Sequence, residues 1–468
     1  MNYLIILFFI ILALLSRLNL RLSVLLLIMI LPSYLIRFSI GPIPTTLLEI
    51  SILIVFLNWM FDNRKNLLKF KRKKEEPNKQ YQPYPFGWEI ILVLVISFIA
   101  IFIGGVSSPA LGIFKAYFLE PILLFVLILN NIKGEKGVKQ IINSLALAVL
   151  AISFFAIWQK ITGQFIFNEF WANAENRRVV SFFGYPNAVA LFIAPIIPLL
   201  VGTFILRLRE QGKLLNFLNQ VFIFVTILLG LASIYFAKSK GALLALIAST
   251  LIIFFILAKK KIKIILLTIL IILSSSLIYF QRDWIEFKLL NSLSYQIRTL
   301  QWKETMEMLK DGNLLYGSGL ANYQEKIAPY HQAGFFFNKD ADPNFRIKVV
   351  WGDDEQYRAE RWQPLEIYLY PHNIFLNFWT ELGLLGMLIF IFIIIKFLIL
   401  SLKYYYKEKG SKNKYLGLAL FSSMSIILIH GMVDVPYFKN DLSALFWIII
   451  SLLAILKLQN NSAKIWKK

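Results

Sequence analysis

Long apolar runs decide what this chain can fold into. Thirteen of them follow one another, at residues 3–15, 22–36, 43–61, 88–104, 111–129, 141–158, 188–206, 217–236, 242–257, 264–280, 374–400, 415–429 and 442–455. Most run about 15 to 27 residues, enough to cross a ~30 Å hydrocarbon core as helix. Inside lipid only a helix or a closed barrel satisfies its own backbone hydrogen bonds, and runs without alternation select the helix. Composition agrees: 58% of the 468 residues are hydrophobic and 16% charged, against about 45–50% and 25% in soluble domains. The sequence predicts an all-α polytopic membrane protein of about 12–13 transmembrane helices, 12 if the short first run is half a span or pairs with the second.

Charge sets the expected orientation. The formal net charge of +22 could attract nucleic acid or anionic lipid. Its location gives a simpler account, because the basic residues sit in the connectors between spans, as positive-inside insertion requires. The connector 64–79 carries eight basic residues against Glu75 and Glu76, and 133–139, 207–213, 259–263, 403–414 and 464–468 are also basic. Alternating the spans puts all of these on the cytoplasmic face. The other face then receives 105–110, 159–187, 237–241, the long segment 281–373 and 430–441. Nucleic-acid binding is not expected. The chain has no cysteine, which removes disulfides and thiolate metal sites. The first run lacks a basic segment before it and is followed by Arg17 and Arg21, so it is expected to stay as a span.

The chain divides into an N-terminal transmembrane bundle (1–280), an extracytoplasmic loop with an interfacial helix (281–373) and C-terminal transmembrane helices (374–468). The loop holds 13 of the chain's 27 acidic residues against 11 Lys or Arg. From Ile285, Leu289, Leu293, Ile297 and Leu300 recur at helical spacing, with Trp284 and Trp302 near the ends, which predicts a one-sided helix lying along the interface. Gly317-Ser318-Gly319 reads as a turn. Between Pro329 and Pro364 no periodicity emerges, and Asp353-Asp354-Glu355 reads as a solvated charge cluster.

Three groups on the translocated side could carry chemistry. His372 stands between Pro371 and Asn373 at a loop-to-helix junction, where proline restricts the backbone and asparagine can cap the helix; such a junction can aim an imidazole able to act as a base. The other histidines, His331 and His430, read as a solvated loop residue and a packed span-end residue. Arg177 and Arg178 precede the turn Gly184-Tyr185-Pro186-Asn187 at a span start, where a guanidinium fork and free helix N–H groups favour an anion such as diphosphate, or a lipid headgroup. Lys238-Ser239-Lys240-Gly241 forms a tight basic turn. No nucleotide-type glycine loop and no acidic pair at metal-ligand spacing occurs, so neither a metal nor a cofactor is expected.

Three ordered stretches resemble the O-antigen ligase and O-antigen polymerase family: Arg178, Ser181, Phe183, Pro186 and Asn187; Ser239-Lys240-Gly241-Ala242; and Pro371-His372-Asn373 with Glu381, Gly383 and Gly386. Arg298 and Trp302 before Gly317 and Gly319 are similar to that family's loop. The resemblance spans about residues 178–386. It implies a C-type glycosyltransferase of the bacterial cytoplasmic (inner) membrane, active on the extracytoplasmic face without metal or nucleotide sugar. The implied donor is an undecaprenyl-diphosphate-linked glycan, and the acceptor another glycan, a lipid A core or protein. His372 would then act on the acceptor hydroxyl, and Arg178 with Lys240 would hold the diphosphate. Arg177, Asn187, Arg298, Trp302 and Asn373 would bind substrate. Where the family's turn carries arginine, this chain has Lys240, which keeps the charge and loses the fork.

The competing expectation is a transporter or flippase of lipid-linked sugars. It predicts ionisable residues lining a path through the spans. Most charges lie at span ends, and Glu49, Lys115, Glu120, Glu381 and Lys396 are the clearest exceptions.

Overall fold

The computed structural model describes residues 3–69, 85–208, 214–265, 268, 292–407 and 414–465. The helices in chain order are α1 (Tyr3–Leu18), α2 (Leu20–Met29), α3 (Leu47–Lys69), α4 (Gly87–Ile103), α5 (Ser108–Ile113), α6 (Glu120–Asn131), α7 (Gly134–Thr162), α8 (Glu169–Ala172), α9 (Pro186–Ile193), α10 (Ile197–Leu208), α11 (Leu214–Phe236) and α12 (Lys240–Leu257). After the described gap come α13 (Leu293–Lys310), α14 (Tyr323–Ile327), α15 (Phe345–Val350), α16 (Glu355–Arg361), α17 (Ile374–Lys407), α18 (Lys414–His430) and α19 (Asn440–Ile465). Two short antiparallel ladders, the hairpin β1 (Arg37–Ile40) with β2 (Ile43–Thr46) and the pair β3 (Gly334–Phe336) with β4 (Trp362–Pro364), are the only strands among the described residues. The molecule is an all-α polytopic membrane protein.

Among the described residues, seven helical stretches are long and apolar enough to cross a membrane: Ser108–Asn131, Gly134–Thr162, Pro186–Leu208, Asn216–Phe236, Lys240–Leu257, Ile374–Lys407 and Asn440–Gln459. Shorter apolar helices are α1, α2, α4 and α18. The structure departs from the predicted runs near the N-terminus. Asn19 caps α2 by accepting from the Leu22 N–H at 3.0 Å, and α2 stops after 10 residues, about 15 Å of rise. Pro32 then lies in a 3-10 turn at Leu31–Leu35. The run predicted at 22–36 is therefore not one continuous helix. The run predicted at 43–61 opens as strand β2 before α3 begins. The run 264–280 lies almost wholly outside the described residues.

The centre of the bundle is α19, whose Leu442, Phe446, Trp447, Ile449 and Leu453 are all buried; a helix apolar on every side belongs inside. It packs on α6 and α7, while α18 packs on α10, α12 and α17. Two carboxylates within the bundle are paired with lysines, whereas the buried Glu120 keeps one oxygen without a hydrogen-bond partner. Lys115 Nζ lies 2.9 Å from Glu49, Asn440 donates to the same carboxylate at 2.9 Å, and Lys396 pairs with Glu89.

The long polar segment is built onto this bundle. Helix α13 covers a second small core of Met308, Leu309, Tyr323 and Ile327. It runs on past Trp302 to Lys310, so Trp302 is mid-helix rather than near an end; the part predicted from Ile285 to Leu289 lies outside the described residues. The turn at 317–320 plugs between two helices. Ser318 N–H donates to the Thr380 carbonyl at 2.7 Å, Leu320 N–H to the Ala100 carbonyl at 3.1 Å, and Ala321 N–H to the Glu381 carboxylate at 2.9 Å. Gly319 has φ +78°, and a Cβ there would overlap the backbone of Gly104. Between Pro329 and Pro364, polar contacts replace a hydrophobic pattern. Asp342 accepts from Lys348 and from the Tyr357 hydroxyl, each at 2.7 Å, and the Arg361 guanidinium lies 3.5 Å over the Tyr357 ring. Asp354 caps α16.

Candidate active site

The segment carrying Arg178 is fixed by one buried side chain. Gln159, at the end of α7, accepts from the Val180 and Ser181 N–H groups at 3.0 and 2.7 Å and donates to the Phe165 and Ser181 carbonyls at 3.0 Å. The Ser181 hydroxyl donates to the Ile152 carbonyl at 2.7 Å. With the backbone held, the Arg178 guanidinium donates to the Ala237 carbonyl at 3.0 Å and to the Asn187 side-chain oxygen at 3.2 Å. It thereby ties three predicted elements together: its own segment, the turn before Lys240 and the start of α9. Burial pushes its pKa below the ordinary arginine value, which leaves it charged with part of its hydration removed.

His372 sits at φ +45°, a left-handed backbone that costs a non-glycine residue on the order of 1–3 kcal/mol. Contacts on both sides hold it there. From α13, Gln301 donates to the Tyr370 carbonyl at 2.9 Å and the Trp302 indole to the Pro371 carbonyl at 2.8 Å. From the other side, Ile374 N–H donates to the Gly431 carbonyl at 2.7 Å, and the Asn373 amide to the Met432 carbonyl at 3.1 Å. The Asn373 oxygen also caps α17 through the Phe375 and Leu376 N–H groups. The imidazole stands edge-on to the rings of Tyr368 and Tyr370, at 5.2 and 5.1 Å, and is partly open to solvent.

The residue that joins these two halves is Asp434, which sequence reasoning passed over. One of its oxygens accepts from the Asn187 amide at 3.2 Å. The other lies 3.9 Å from Nδ1 of His372, longer than a hydrogen bond but within ion-pair range. A continuous line therefore runs Arg178–Asn187–Asp434–His372. Asp434 is only 2% exposed. Burial alone would raise its carboxyl, but His372 and His430, with the Val435 N–H, outweigh that and hold it down at about 2. A carboxylate facing Nδ1 favours the tautomer that leaves Nε2 free to accept a proton. Catalytic pairs of this kind are often long before substrate binds.

The remaining predicted residues fall around this line. Arg298 donates to the Val433 carbonyl at 2.9 Å, so it anchors the loop that carries Asp434. Trp302 and Asn373 clamp the His372 backbone. Lys240 is exposed at the first residue of α12, and the next residue, Gly241, abuts His430 and Val433 so closely that a Cβ would lie 3.0 Å from each. Arg177 is directed away from this line, and the Lys240 side chain is exposed without a contact to it. The Arg177 guanidinium donates to the Lys160 carbonyl at 2.9 Å and the Ala172 carbonyl at 3.3 Å, closing the end of α7. His430 is buried beneath Asp434's loop.

Fold and site together define a polytopic helical membrane protein with a polar, histidine-containing site where its loops converge. Residues 225–391 match the sequence profile described as O-antigen ligase, a stretch that holds Lys240, Arg298, Trp302, His372 and Asn373. That stretch, 167 of the 468 residues, is similar to the O-antigen ligase family. At that coarse level the chain is a glycosyltransferase-type membrane protein acting on lipid-linked glycan and an acceptor. No curated protein matches the chain.

Proposed function

We propose that this protein transfers or polymerises glycan carried on undecaprenyl diphosphate, at the extracytoplasmic face of a bacterial cytoplasmic membrane. The observation that carries the proposal is the connected line from Arg178 through Asn187 and Asp434 to His372. In the reaction, an acceptor hydroxyl gives its proton to Nε2 of His372 as its oxygen attacks the anomeric carbon. The bond from that carbon to the diphosphate oxygen breaks, and the electron pair leaves on undecaprenyl diphosphate. Arg178 stabilises the charge that develops there, with Lys240 reaching in from the neighbouring turn, a task given to metal ions in other transferases. The proton on His372 then passes to solvent.

An apolar cleft of about 560 Å³ lies beside the Arg178 segment, lined among others by Ile36, Ala151, Phe155, Phe165, Phe182 and Phe183. It suits the carrier's isoprenoid tail. The transport reading has less support, because Glu49 with Lys115 and Glu89 with Lys396 neutralise each other and Glu381 is taken up by the Ala321 N–H, which leaves Glu120 as the one exception among those named from the sequence.

The test uses purified protein in detergent with a lipid-diphosphate-linked oligosaccharide and no energy source. Release of carrier diphosphate by wild type, reduced at least about 10²-fold in His372→Ala and Arg178→Ala, is the expected result. Near wild-type turnover in both variants, or vectorial movement without release, would overturn the proposal.

A further inference from the structure

Lys439 is the charged residue at the site that the transfer scheme leaves unused. It follows Asp434 by five residues on the loop leading into α19, and its ammonium lies 3.8 Å from the centre of the Tyr185 ring. Tyr185 belongs to the same turn as Asn187, the partner of Arg178, and its hydroxyl lies 3.4 Å from that of Tyr370, whose ring borders His372. Lys439 is thus held against the same turn that positions Arg178.

Among the described residues no carboxylate comes within the 4.0 Å ion-pair limit of its Nζ. Its charge is compensated by an aromatic face and by the more distant Asp441 and Asp434, while Arg37 opposes it. A half-buried cation without a contact counter-ion weakens the fold that holds it, an arrangement expected where a ligand supplies the missing anion. By contrast Lys240, at the position where the family carries arginine, is exposed.

We infer that Lys439 is a further cation of the donor site, beside Arg178 and Lys240, and binds the diphosphate of the lipid-linked glycan. This rests on the transfer reading above. Burial lowers the lysine to about 8, against the pull of Asp441 and Asp434; a phosphate oxygen at hydrogen-bond distance would raise it again by stabilising the charged form.

The experiment measures binding of undecaprenyl diphosphate to purified wild type, Lys439→Met, Lys439→Arg and Arg178→Ala, together with the melting temperature of each without ligand. Phosphatidylglycerol is titrated in parallel, since a headgroup phosphate offers the same chemistry. Lys439→Met is expected to bind undecaprenyl diphosphate about tenfold or more weakly, with Lys439→Arg keeping most of the affinity. Lys439→Met without ligand is expected to melt no lower than wild type, because it loses an uncompensated cation. If Arg178→Ala is weakened and Lys439→Met is not, the assignment of Lys439 fails while the transfer reading stands. If neither variant is weakened, the transfer reading itself falls. Weakening for phosphatidylglycerol alone, or a lower melting temperature in both Lys439 variants, marks a headgroup contact or a structural lysine and overturns the inference.

Discussion

Asp434 carries the sharpest consequences at the scale of single residues, because it touches both halves of the site. In Asp434→Asn the charge facing His372 disappears while the shape stays, so the imidazole loses the group that sets its tautomer. The expected effect is a fall in turnover of roughly 10²-fold with little change in donor affinity, checked by steady-state kinetics; an unchanged turnover number would detach Asp434 from the chemistry. Stability should respond differently. The folded-state value of about 2 lies below the ordinary 3.8, so the contribution of Asp434 is complete above about pH 4 and is lost as pH falls through 2. Wild type and Asp434→Asn should therefore differ in melting temperature at pH 5 and converge in stronger acid. Sequence reasoning did not single out Asp434 because it sits in a short loop between two apolar runs, with no motif around it. Only the fold brings it beside Asn187, 247 positions earlier. Arg177 errs in the opposite direction. Adjacent residues of an extended segment point to opposite sides, so of two neighbouring arginines one reaches the site and the other closes a helix end, and the sequence does not say which.

Among the elements, α17 shows how the loop is locked to the bundle. Gly383 interrupts the helix with φ +75° and ψ 176°, and a Cβ there would overlap the carbonyl oxygen of Leu315. Gly383→Ala should cost about 1–3 kcal/mol in backbone strain alone, plus whatever shift the collision forces. The measurement is thermal unfolding together with limited proteolysis of residues 311–322, which should become faster. Unaltered melting and cleavage would show that the turn docks without this close approach. The same logic applies to Gln159: Gln159→Leu strands two buried N–H groups, at about 1–3 kcal/mol each. Digestion after Arg177 or Arg178 should accelerate, and slower or equal digestion would contradict its role as the pin of that segment. The spacing of Glu381, Gly383 and Gly386 was legible in the sequence as a pattern. Its physical content was not, since the partners at Leu315, Ser318 and Ala321 lie some 60 residues away. Helical spacing around Leu293 to Leu300 did predict α13. The compact middle at 329–364 gave no periodicity because it is held by ion pairs and aromatic contacts, which leave no regular imprint.

For the whole molecule, orientation links the charge pattern to the chemistry. The segments that meet at the site, 163–187, 237–240, 298–373 and 431–439, touch one another through the hydrogen bonds of Arg178, Asn187, Arg298 and Asn373, so they share one end of the bundle. The proposed function needs that end outside, and positive-inside insertion of the basic connectors at 133–139 and 403–414 predicts it. The chain has no cysteine, which makes a direct test clean. A single cysteine at Asp353, in an exposed turn between α15 and α16, should react in intact cells with a maleimide too polar to cross a membrane. One at Lys136, near the start of α7, should react only after the membrane is opened. The reverse pattern would place His372 among cytoplasmic solutes and remove the argument for a translocated lipid-linked donor, whatever the activity of the purified protein. Equal labelling of both would mean that the bundle inserts in two orientations, and the transfer reading would then require that only the outward-facing population consumes donor.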